Sequence, residues 1–130
     1  MRQIDHFMPT ASPSAARTHQ VWNPSTGEVQ AEVALGDSAL LDIAVANAQA
    51  VQPEWAATNP QKRARVMFKF KELVEANMQS LAELLSSEHG KTVPDACGDV
   101  QRGLEVIEYA CGIPQVLKGE YTPGAGPGID

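Results

Sequence analysis

Long apolar runs are missing from this chain. No stretch approaches the ~20 consecutive apolar residues that a membrane-crossing helix needs, and the opening Met1-Arg2-Gln3-Ile4-Asp5-His6 leads into no apolar core of a secretory signal. No membrane partner is expected, and the reading is a cytoplasmic protein. Positive charge is also in deficit. Ten Lys and Arg stand against sixteen Asp and Glu, a net charge of −6. An acidic chain repels phosphate backbones, so no nucleic-acid partner is expected. The one basic run, Lys62, Arg63, Arg65, Lys69 and Lys71, has no aromatic interleaving and reads as the solvated face of a helix. Aromatics make up only 5% of the residues, which leaves a core to be built from Val, Leu, Ile, Ala and Met.

Reactive groups are equally sparse. The two cysteines, Cys97 and Cys111, fall on one expected helix, where a 14-residue separation spans about 21 Å. That exceeds the ~7 Å Cα limit for a disulfide, and neither cysteine has the CxxC spacing of a zinc ligand. Both read as small, reduced core residues. The histidines His6, His19 and His89 are too scattered to pair on a metal, so no metal site is expected. There is no GxSxG nucleophile elbow. From these residues alone no catalytic group declares itself.

What is present is a fold pattern. One hundred and thirty residues suit a single domain of ordinary size. Residues 1–20 carry little periodicity and read as an irregular N-terminal arm. Val21-Trp22, the turn cluster Asn23-Pro24-Ser25-Thr26-Gly27, and the alternation of Val29, Ala31, Val33 and Leu35 with Glu28, Gln30 and Glu32 spell a hairpin with one buried face. Asp37 or Ser38 can cap a first helix, which Pro53 should end. Asn59-Pro60 opens a second helix, with a break or bend near Asn77 and a stop at Gly90. A further helix starts near Val93-Pro94. Its stripe of Val93, Cys97, Val100, Leu104, Ile107 and Cys111 is the cleanest in the chain. Residues 122–130, rich in Pro and Gly, read as a linker-like tail. Gly124, Gly126 and Gly128 do not make a phosphate loop, which needs a strand before the glycines and a helix after them.

Arg102 stands apart. It lies about 200° around the helix from Val100 and faces away from the apolar stripe. Its neighbours at helical spacing include Val106 and Tyr109, so this second face is half apolar and open to a covering partner. An Arg there can hold a substrate carboxylate with two parallel hydrogen bonds, or pair locally with Asp99 or Glu105.

Four segments resemble the aldehyde dehydrogenase family. These are Asn23-Pro24-Ser25-Thr26-Gly27-Glu28-Val29, Arg63-Ala64-Arg65-Val66-Met67-Phe68-Lys69-Phe70, the turn Glu88-His89-Gly90-Lys91, and the stretch from Asp99 to Pro114. The last resembles the CoA-acylating methylmalonate-semialdehyde subgroup. The likeness runs from about residue 21 to residue 121, which marks that span as a partial dehydrogenase N-terminal domain. It implies NAD and coenzyme A as cofactors of the complete enzyme, with none held by the isolated chain. It also implies oxidation of a semialdehyde to propionyl-CoA or acetyl-CoA, in valine and inositol breakdown. The subgroup arginine that grips the substrate carboxylate lies in an Arg-Gly-x-Glu motif, which here is Arg102, and this favours the functional reading. Family members are several times longer. Their catalytic cysteine, oxyanion-stabilising asparagine and nucleotide loops lie beyond the matched span, so none is carried over to Cys97 or Cys111. Phe7-Met8-Pro9-Thr10 stands where relatives often have an Asp-Gly turn, so the usual first hairpin is not expected.

The expected fold is therefore a helix-rich α+β fragment, an N-terminal hairpin plus three or four helices, belonging to the α/β NAD-binding domain of an aldehyde dehydrogenase. With that sheet absent, apolar helix faces should drive self-association or capture of a complementary C-terminal fragment. The alternative is a non-catalytic interaction or oligomerisation module.

Overall fold

The computed structural model describes residues 1–8, 17–120 and 126–129. The elements run β1 (Arg2–Ile4), β2 (Arg17–Asn23), β3 (Glu28–Leu35), α1 (Ser38–Ala57), α2 (Pro60–Ala76), α3 (Met78–His89), α4 (Val93–Cys111) and α5 (Ile113–Val116). A helix-rich α+β architecture is what the pattern called for. The strand order is β1-β3-β2, with β1 parallel and β2 antiparallel to β3.

The hairpin forms where the turn residues place it. Asn23 Oδ1 accepts from the Ser25 N–H at 2.9 Å, the Asn23 carbonyl accepts from Gly27 at 2.8 Å, and Gly27 takes φ +74. Two expectations for the N-terminal part need correction. The arm is not irregular at its start, because Arg2–Ile4 pairs with Ala31, Glu32 and Val33. Three residues are too few to show an alternation, so the free edge of β3 makes this strand. Nor does β3 bury a single face. Ala31 and Ala34 are buried on opposite faces while Leu35 is exposed. A central strand is covered on both sides: the Gln30 amide donates to the Ser87 carbonyl at the end of α3 at 3.1 Å. β1 and β2 are not paired with each other, and residues 9–16, between them, lie outside the described residues, Pro9 and Thr10 included.

α1 begins as expected, with Asp37 Oδ1 accepting from the Leu40 N–H at 2.9 Å. It does not stop at Pro53, which lies inside the helix. One missing N–H and a displaced turn are tolerable where the freed carbonyl reaches water, and every residue from Ala48 to Ala57 is exposed. The helix ends at Thr58, whose hydroxyl donates to the Glu54 carbonyl at 2.9 Å. Pro60 holds Asn59 near ψ 132, outside the helical region.

Asn59 then caps α2 through the Gln61 N–H at 2.9 Å. The expected break at Asn77 divides α2 from α3: its side-chain amide donates to the Leu73 carbonyl at 2.7 Å, and its own carbonyl accepts from the Ser80 hydroxyl. Gly90, at φ 85, ends α3. Thr92 caps α4 through the Asp95 N–H.

α2, α3, α4 and α5 pack into one cluster, with α3 also against β2. The α4 stripe faces inward, Leu104 and Cys111 buried and its other members half-buried. Otherwise the core is mostly alanine: Ala31, Ala34, Ala64, Ala82 and Ala96. α1 stands outside the cluster. It buries no residue, and among the described residues only Trp55, near its end, reaches the cluster, lining a cavity with Ala64, Met67 and Ile113. Leu41, Val51 and Trp55 are exposed on it at 63%, 63% and 48%. No helix among the described residues is long and apolar enough to cross a membrane.

Candidate functional site

The outer face of α4 carries the predicted site residue. Arg102, Val106 and Tyr109 are all exposed, so among the described residues the helix is covered on its stripe side alone. Local pairing of Arg102 does not occur: among the described residues it enters no ion pair with Asp99 or Glu105. The Asp99 carboxylate instead accepts from the ammonium of Lys91. That hydrogen bond is the main cause holding the Asp99 carboxyl below its usual range, with partial burial opposing it and the charges of Lys91, Arg102 and His89 helping through space.

Sequence reasoning missed Lys91 as a member of this cluster. It precedes Asp99 by eight residues and belongs to the α3–α4 turn, so no helical spacing rule links the two. The turn itself was the available signal. Gly90 reverses the chain, Ser86 Oγ donates to the Lys91 carbonyl at 2.7 Å, and the Lys91 side chain is then laid along the start of α4.

The basic run on α2 is partly neutralised, while Lys62 and Arg65 lie exposed on the helix surface. Lys69 pairs with Glu72 at 2.7 Å. Lys71 bridges Glu75 on its own helix at 3.2 Å and Glu108 on α4 at 3.3 Å, and these two partners raise its pKa. Arg63 is half-buried. Cys111 is buried and Cys97 half-buried, and both are free thiols. Among the described residues no three His, Cys, Asp or Glu side chains converge as a metal site would require.

Comparison with known proteins settles the family. The profile of the aldehyde dehydrogenase family matches residues 11–129. This chain belongs to the aldehyde dehydrogenase family. A malonate-semialdehyde dehydrogenase of Pseudomonas aeruginosa is 48% identical over 114 residues, which cover 88% of this chain and 23% of the relative. Among solved structures, a protein from Sinorhizobium meliloti described as a methylmalonate-semialdehyde dehydrogenase, complexed with NAD, superposes with a TM-score of 0.88 at 53% identity. It covers 98% of this chain, which spans 26% of the dehydrogenase. The methylmalonate-semialdehyde dehydrogenase of Oceanimonas doudoroffii gives a TM-score of 0.89 at 42% identity, with the same coverage on both sides. The chain thus spans about a quarter of the length of the dehydrogenases it matches. Its helix cluster and small sheet match one region of those dehydrogenases.

Proposed function

We propose that this chain supplies the N-terminal part of an NAD- and CoA-dependent malonate- or methylmalonate-semialdehyde dehydrogenase (acylating), and that Arg102 grips the carboxylate of the semialdehyde. The observation that carries the reading is the guanidinium itself: exposed, on the open face of α4, without an ion pair among the described residues. A planar fork of donors fits a carboxylate bidentately, and Val106 and Tyr109 offer an apolar flank on the same face. NAD and coenzyme A are assigned to the rest of the complete dehydrogenase. Gly126 and Gly128 lie in a tight turn closed by mutual hydrogen bonds between Gly126 and Ile129, not at a helix N-terminus, where a pyrophosphate is held. The redox and acyl-transfer chemistry is assigned to the rest of the dehydrogenase as well.

The test joins this chain to the remaining portion of the Pseudomonas aeruginosa relative and follows NADH formation. Activity should require both parts, with none from this chain alone. Arg102→Met should then lower kcat/KM for malonate semialdehyde by about 10–100-fold, the loss of ~1.5–3 kcal/mol of charge-assisted hydrogen bonding, while leaving propanal, which has no carboxylate, nearly unchanged. An equal loss on both aldehydes would remove Arg102 from the substrate site.

The partner reading rests on α1. Leu41, Val51 and Trp55 stay largely exposed although Phe7 and Met8 lie beside the first two, and exposed apolar surface favours association. Alone in solution the chain is expected to self-associate, or to bind the complementary C-terminal portion when that is supplied. Sedimentation velocity should show species larger than 13.9 kDa, and a Leu41→Glu, Val51→Glu double variant should shift them toward monomer. A wild-type monomer across the concentration range would refute this.

A further inference from the structure

Asp99 lies three residues before Arg102 on α4, the spacing at which an acid and a base on one helix meet. Paired there, it would occupy the donors that a substrate carboxylate needs. Its carboxylate goes instead to Lys91, a residue outside the helix. The α3–α4 connection fixes that choice. Gly90 in the left-handed region turns the chain, the Ser86 hydroxyl pins the Lys91 carbonyl, and Thr92 caps α4 immediately afterwards. The Lys91 side chain is only 21% exposed, so it is held along the protein surface rather than waving in solvent. Glu105, the other acid at helical spacing, makes no ion pair among the described residues.

We propose that Lys91 is a positioning residue: it sequesters the Asp99 carboxylate and so leaves the Arg102 guanidinium unpaired and open to a substrate carboxylate. Two cations compete for one anion, and the one that loses keeps its donors. The purpose assigned to this arrangement rests on the reading of Arg102 as the substrate grip, but the competition itself does not.

The test is NMR of the full 130-residue chain, reading the Arg102 Nε–Hε resonance and its exchange with water. In Lys91→Met, Asp99 is released and turns to Arg102, so the resonance moves and its exchange slows. In Lys91→Arg the wild-type signature is kept. Lys91→Met combined with Asp99→Asn returns Arg102 to the wild-type signature, because the freed competitor is gone. An unchanged Arg102 signal in Lys91→Met, with native amide shifts along α4, overturns the proposal. Asp99→Asn alone tests it without disturbing Lys91. The Arg102 signal should stay as in wild type, whereas faster exchange would mean that Asp99 pairs with Arg102 in solution and that the proposal is wrong. These outcomes are independent of substrate selectivity, so a failure of Arg102 as substrate grip is read separately in the semialdehyde and propanal comparison.

Discussion

Leu104→Ala is expected to destabilise the chain by about 2–5 kcal/mol. Leu104 is 3% exposed at the middle of the α4 stripe, where α4 meets α2 and α3. The size of the loss depends on whether neighbours can collapse into the space. Here the other buried side chains of the helix cluster are Ala64, Ala82, Ala96 and Cys111, with Pro114 of α5. Short side chains of this kind have little reach into the space that Leu104 would vacate. Typical domains are stable by only ~5–15 kcal/mol, and a core this lean in large buried side chains leaves little margin. Urea unfolding followed by helical circular dichroism, at one fixed protein concentration because association adds stability, should show the midpoint fall sharply. Val66→Ala is the control. Val66 is 53% exposed on α2, and its truncation should change stability by less than ~0.5 kcal/mol. Equal effects at the two positions would mean that α4 does not pack as described.

Most features legible in the sequence share a cause: each is decided by a few adjacent residues. The Asn23–Gly27 turn, the Asn59-Pro60 start, the Asn77 break and the Gly90 stop are written in side chains that bond to their own backbone or in backbones that only glycine adopts easily. The α4 stripe was legible because one helix face repeats every three or four residues. What stayed hidden was settled at a distance. β1 exists because β3 offers it an edge, and Arg2-Gln3-Ile4 carries no signal of that. Pro53 looked like a stop because proline usually is one, yet an exposed helix can hydrate the carbonyl it frees. The fate of Arg102 turned on Lys91, eight residues before its expected partner and across a turn, where helical spacing rules do not reach.

Gly90→Ala is the second large effect, about 2–4 kcal/mol of lost stability, and it has two separable parts. The first is backbone. At φ 85 an alanine occupies the left-handed region at roughly 1–2 kcal/mol. The second is packing. A Cβ at Gly90 would stand 2.8 Å from Pro24 Cγ and 3.6 Å from Ser25 Oγ, so the hairpin turn must move off the end of α3. A proline ring inside a hydrogen-bonded turn yields less readily than a flexible side chain. Gly27→Ala isolates the first part, because Gly27 has φ +74 and open space where its Cβ would go. The difference between the two variants measures the contact, and Pro24→Ala should close most of it in the Gly90→Ala background but not in Gly27→Ala. If the two glycines cost the same, the hairpin does not rest on α3 in solution. The same substitution reaches the candidate site, because Gly90 directs the turn that lays Lys91 against Asp99. Gly90→Ala protein that remains folded should therefore show the slowed Arg102 exchange expected of Lys91→Met, although neither Lys91 nor Asp99 has been altered.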